Sequence, residues 1–195
     1  MTAVVGLVGK LKNLSLSMLR QALSDWAQMA SLAVETIDGK VQNLAKRPQV
    51  EAALQGPVIL IETRVEGRNE GPCFFVFPLA LAAHAVGKFV MLPDEVIAAR
   101  AASGLDETDL SAFRELANLL CGSSNNVMAQ ALPGQRLSQS VDALRVWQAL
   151  PDVKAQIEHL PEAELACVAV SVKVDGTAYT VHQLLPLALA RTMLA

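Results

Sequence analysis

The chain has 195 residues, 52% of them hydrophobic, with a mean hydropathy of +0.35 and a net charge of −3. This composition can bury a substantial core and excludes disorder. Scattered Lys and Arg with only 4% aromatics exclude a basic, base-stacking surface for nucleic acid. Three cysteines, Cys73, Cys121 and Cys167, are an odd number in apolar surroundings, which suits a reducing compartment. His84, His159 and His182 lie far apart, none at metal-ligand spacing, so neither a metal nor a cofactor of the chain's own is expected. No apolar run approaches the roughly 18 residues of a membrane helix. The start, MTAVVGLVGKLKNL, places its lysines after a short apolar piece rather than before it. No secretory signal, no membrane association and a cytoplasmic location are therefore expected.

In chain order, LSMLRQALSDW from Leu16 has helical spacing, and GKVQNL from Gly39 is a short strand candidate. GPVILIETRVEG closes at Gly67 and leads into PCFFVFP, the pattern of a hairpin. FPLALAAHAVGKFVML follows from Phe77; Pro78 is pre-organised for a helix start, and the Ala/Leu tract predicts a helix buried on most sides. The strongest helix spans Leu105 to Gly134, capped by Asp106 or Thr108 and stopped by Pro133 and Gly134. GQRLSQS from Gly134 is the next strand candidate. Val141 to Glu164, containing LRVWQALPDVKAQIEHL, reads as a helical insertion broken near Pro151. ELACVAVSVKVDG, ending at Gly176, and TAYTVHQLLP form a second hairpin, and LPLALARTML from Leu185 a last helix.

These elements repeat. PLALA begins at Pro78 and again at Pro186. Leu16 to Trp26 matches Leu110 to Leu120, with Arg20 and Arg114 at the same place. Each half reads helix, strand, connection, hairpin, helix, with limits of about 13–100 and 107–195 and the insertion near 141–164. The predicted fold class is α+β: a pseudo-twofold repeat forming one continuous antiparallel sheet packed by helices.

The helix from Leu105 carries the candidate chemistry. At about 100° per residue, Leu110, Phe113, Leu116, Ala117, Leu120, Cys121 and Met128 share a core-facing side. Ser111, Glu115, Asn118, Gly122 and Asn125 form one narrow stripe on the other side, roughly 80° wide. Solvated helix faces favour Lys, Glu, Gln and Ala; Ser, Asn and Gly are mediocre or poor helix formers. Helix stability did not select them. A glycine there lets another backbone approach closely, and Glu115 and Asn118, three apart, can reach into one small pocket on a partner.

Ser111-x-x-x-Glu115-x-x-Asn118 resembles the signature of the CheC/CheX/FliY chemotaxis phosphatases, in which Asp or Ser precedes Glu and then Asn at these spacings. ELANLLCG, Glu115 to Gly122, is similar to that family's active helix, and the repeat to its pseudo-symmetric layout. One departure lies at Leu137 to Val141, which lacks the proline the family usually carries a little over twenty residues past the asparagine. At the positions of Glu115 and Asn118 the first half has Gln21 and Ser24, so one site is expected, as in CheX-like proteins.

The resemblance implies hydrolysis of the aspartyl phosphate of a CheY-type receiver domain. Asn118 would hold the attacking water and Glu115 would pair with the receiver's lysine. Ser111, Gly122 and Asn125 would line the contact rim, and Mg2+ would come with the receiver. The alternative is a non-catalytic receiver-binding or flagellar-switch-like module of the same fold. A homodimer and a regulatory partner of the CheD kind stay open. GxSxG, GxxxxGK and HExxH are absent from the sequence, which argues against a small-molecule enzyme.

Overall fold

A computed structural model describes residues 2–45, 56–147 and 164–194. Helix α1 (Thr2–Ala30) leads into β1 (Val34–Ala45), followed by the hairpin of β2 (Val58–Glu66) and β3 (Gly71–Pro78) and by helix α2 (Leu79–Phe89). A short helix α3 (Asp94–Ser103) links the halves. The order then repeats as α4 (Glu107–Ala131), β4 (Ser138–Trp147), the hairpin of β5 (Leu165–Val174) and β6 (Thr177–Pro186), and α5 (Leu187–Leu194).

Among the described residues six strands form one antiparallel sheet in the order β1-β5-β6-β3-β2-β4. The two hairpins meet at its centre through β3 and β6, and the first strand of each half pairs with the hairpin of the other. Counted from the shared PLALA, Phe75 and Gln183 are equivalent residues, and they face each other across the β3–β6 ladder. Phe74 pairs with Leu184 and Val76 with His182 on either side, so the register itself obeys the pseudo-twofold relation. Both hairpins turn through glycine at positive φ, Gly67 at 124° and Gly176 at 83°, a conformation glycine adopts without steric cost. Leu79 and Leu187, which open α2 and α5, donate their N–H groups to Pro57 and Glu164, each just ahead of its half's first hairpin strand. The expected architecture is the one observed.

Helices cover one face of the sheet; α2 is buried on most sides, whereas α1 packs through a single apolar stripe. On α1 it runs through Leu11, Leu14, Met18, Leu19, Ala22, Leu23 and Trp26, all buried. The repeat predicts its partner: Leu19, Ala22 and Trp26 match Phe113, Leu116 and Leu120 of α4, all fully buried. Trp26, Phe77 and Phe113 stack and edge together with centroids 5.2 to 6.3 Å apart. A separate cluster of Val58, Leu60, Phe74, Val76, Leu165, Cys167 and Leu184 lies on the opposite face.

The sequence reading of the second half needs correction in places. Strand β4 begins at Ser138, not Gly134, which lies in the preceding turn. Val141 to Trp147, read as the start of a helical insertion, are strand, paired with β2 from Trp147↔Val58 to Ser138↔Glu66. The remainder of that insertion, including Pro151, and His159 lie outside the described residues. Helix α1 starts well before residue 13, and α3 was not anticipated at all.

Candidate functional site

Helix α4 starts where its capping chemistry dictates. The Asp106 side chain accepts from the Asp109 N–H at 2.9 Å, and the Asp109 carboxylate accepts from the Asp106 N–H at 3.1 Å, a reciprocal capping box. Arg100 of α3 pairs with the buried Asp109 and lies 3.6 Å from Asp106, tying the connecting helix to this terminus. Glu107 and Asp109 suit the positive end of the helix dipole.

Two polar contacts fix how α4 is rotated against α1, which runs antiparallel beside it. The indole Nε1 of Trp26 donates to the Leu116 carbonyl at 2.8 Å. The Ser123 hydroxyl donates to Asp25, which also accepts from Gln21 at 3.0 Å. One clamp lies a residue past Glu115 and the other five past Asn118, so the turn between is held from both sides. Rotation is thereby set, and the stripe faces outward: Ser111, Glu115, Asn118 and Gly122 are all exposed. Among the described residues the side chains of Glu115 and Asn118 make no hydrogen bond or ion pair, leaving a carboxylate and an amide one turn apart and available.

Asn125, the fifth member of the stripe, is only partly exposed. Its amide donates to the Gln139 carbonyl at 3.0 Å and accepts from the Gln139 N–H at 2.6 Å. This two-way clasp anchors the start of β4, the stretch that lacks the expected proline; β4 pairs with β2 from Ser138 to Val141 and then bulges at Asp142. Replacing Asn125 by Leu is expected to cost about 1–3 kcal/mol in chemical denaturation, the range for leaving buried backbone groups unpaired.

Gly122 sits mid-helix, where glycine costs roughly 1 kcal/mol relative to alanine. A Cβ built on it meets nothing within 4 Å. Nothing inside the chain demands the glycine, so Gly122→Ala is expected to raise stability by about 0.5–1 kcal/mol.

The cysteines offer no nucleophile. Burial pushes the Cys121 thiol up to about 12, with the nearby Cys73 adding to it. Burial likewise pushes Cys73 and Cys167 to about 11 each, against lowering hydrogen bonds to Gln183, Thr63 and Gln139 in the case of Cys73. All three are free and buried. No group of three or more His, Cys, Asp or Glu among the described residues is placed to hold a metal. His84, read as a packed or surface residue, contacts Asp175 of the β5–β6 turn at 2.7 Å.

At the α1 positions matching Glu115 and Asn118, Gln21 and Ser24 are exposed, and the Gln21 amide is turned to Asp25. That turn has neither the carboxylate nor the free amide of its counterpart.

No family model and no curated protein matches the sequence. Solved structures do. FliY of Thermotoga maritima superposes with a TM-score of 0.76 at 17% identity, over 96% of this chain and 93% of that one. The FliM middle domain of H. pylori gives 0.71 at 9% identity, over 97% of both chains. CheX of Desulfovibrio desulfuricans gives 0.56 at 14% identity, over 88% and 97% respectively. The chain has the fold shared by FliY, FliM and CheX. At these identities the likeness establishes the fold. Sequence spacing placed the stripe on α4 but missed what orients it: Trp26, Asp25 and Ser123 carry no local motif, since each matters only through a contact made across the fold.

Proposed function

We propose that the chain is a phosphatase acting on the aspartyl phosphate of a CheY-type receiver domain, with Glu115 and Asn118 as its working pair. One observation carries the reading: the two side chains stand exposed and, among the described residues, unpartnered, one turn apart on a helix whose rotation is clamped. An acyl phosphate is already reactive, and the receiver supplies its own Mg2+ and lysine, so the missing component is a water held in line. The Asn118 amide oxygen accepts from that water and places it for attack on phosphorus; the P–O bond to the aspartate breaks and inorganic phosphate leaves. Glu115 pairs with the receiver's lysine and fixes the docked geometry. The open surface above Gly122 admits the receiver's backbone, so Gly122→Ala, while stabilising the fold, weakens docking. Ser111 lies at the rim, and Asn125 contributes by holding β4 behind the helix.

A non-catalytic switch module is the competing reading, and the FliM likeness favours it as a fold. It gives no reason for a free Asn beside a free Glu. The discriminating experiment compares Glu115→Ala with wild type for binding and dephosphorylation of a phosphorylated receiver. Both affinity and rate are expected to fall; a variant that binds as tightly as wild type removes the lysine-pairing role.

A further inference from the structure

A surface concavity lies on the first half's counterpart of the site. It is a groove of about 820 Å³ between α1 and the C-terminal half of α4, and its lining includes Gln21, the residue standing where Glu115 stands in the second half. Its lining mixes apolar Leu14, Val127, Leu132 and Leu194 with uncharged polar Asn13, Ser17 and Gln130. Two cations border it: Lys10, which donates to the Leu194 carbonyl at 3.0 Å, and Arg20. No Asp or Glu is among the described residues lining it, and neither cation has a carboxylate partner among them.

Lys10 and Arg20 are ten residues apart on one helix, hence about 15 Å along its axis. The stripe on α4 presents a carboxylate; this surface presents two positive charges beside apolar side chains. Two charges so separated are too far apart for one small anion. A shape of this kind, between two antiparallel helices, suits a third helix laid in by its apolar face, with acidic residues at both ends of the contact.

The geometry points to a docking groove for an acidic amphipathic helix of a partner protein, separate from the Glu115–Asn118 site and on the adjoining helix. The assignment is independent of the phosphatase reading, because none of the residues that carry it belongs to the working pair.

The test uses the full chain and two blocked model peptides of about 14 residues, roughly 21 Å as helix. One is patterned with Leu on one face and Glu on the other, and its twin carries Lys in place of Glu. Fluorescence polarisation is expected to show saturable binding of the Glu peptide, weakened by added salt, and at least tenfold weaker binding in Lys10→Glu/Arg20→Glu. Methyl NMR shifts are expected at Leu14, Val127, Leu132 and Leu194. Asn118→Ala is expected to bind the peptide as wild type does, which separates this groove from the catalytic proposal. Equal binding of the Lys peptide, no saturable binding, or shifts at another surface overturns the assignment. So does concentration-dependent self-association abolished by the charge reversals, which would place a second copy in the groove. Decanoate shifting the same methyls while the Glu peptide does not would replace the helix with a small anionic amphiphile.

Discussion

Asn118→Ala is expected to slow loss of the receiver's aspartyl phosphate about a hundredfold, equivalent to about 2.7 kcal/mol of transition-state stabilisation. Folding stability is expected to change by no more than about 0.5 kcal/mol, because Asn118 is exposed and hydrogen-bonds to no side chain among the described residues. Alanine is also the better helix former, so the small change should be in the stabilising direction. The contrast between the two readouts is the point. A residue that caps or braces the helix would move stability and rate together, whereas one that only holds water moves rate alone. Phosphate release timed in the presence of Mg2+, paired with urea denaturation of the same variant, reads both. A rate within threefold or so of wild type would remove Asn118 from the mechanism, since positioning effects are far larger than that.

Trp26→Ala is expected to destabilise the fold by about 3–5 kcal/mol, the range for truncating a fully buried aromatic. Trp26 has no exposed surface, stacks on Phe77 at 5.2 Å, meets Phe113 edge-on at 5.9 Å, and holds the Leu116 carbonyl at 2.8 Å. Alanine leaves a cavity at the point where α1, α4 and β3 converge and removes the clamp beside Glu115. Trp26→Phe keeps most of the volume and loses only the donor, so a cost nearer 1 kcal/mol is expected from it. Denaturation midpoints of both variants check the ranking. An alanine variant costing under about 1 kcal/mol would mean that this aromatic cluster does not organise the interface between the helices.

Much of the fold was legible because its signals are local. Gly67 and Gly176 close the two hairpins at positive φ, and the PLALA strings start both helices that follow. Matching burial in Leu19 and Phe113, or Ala22 and Leu116, turned a sequence repeat into a structural one. Strand β4 was misread for the opposite reason. It is an edge strand whose Val141, Leu144 and Val146 are only partly buried. Its spacing of apolar residues resembles a helix, and what makes it a strand is pairing with β2 of the other half. The stripe on α4 was legible from spacing alone, but spacing could not distinguish its members. Among the described residues Glu115 and Asn118 have no side-chain partner, whereas Asn125, on the same stripe, closes on Gln139 fourteen residues away. Helix α3 did carry a local signal, Pro93 followed by Asp94 and Glu95.

The central claim is that this helix face removes phosphate from another protein's aspartate. The measurement that bears on it most directly follows a radiolabelled, phosphorylated CheY-type receiver with Mg2+, alone and with catalytic amounts of the chain or of Asn118→Ala. The wild-type chain is expected to accelerate phosphate loss over many turnovers, and the variant largely not to. A receiver that binds the wild-type chain yet loses phosphate at its own intrinsic rate would contradict the account and make the protein a switch module.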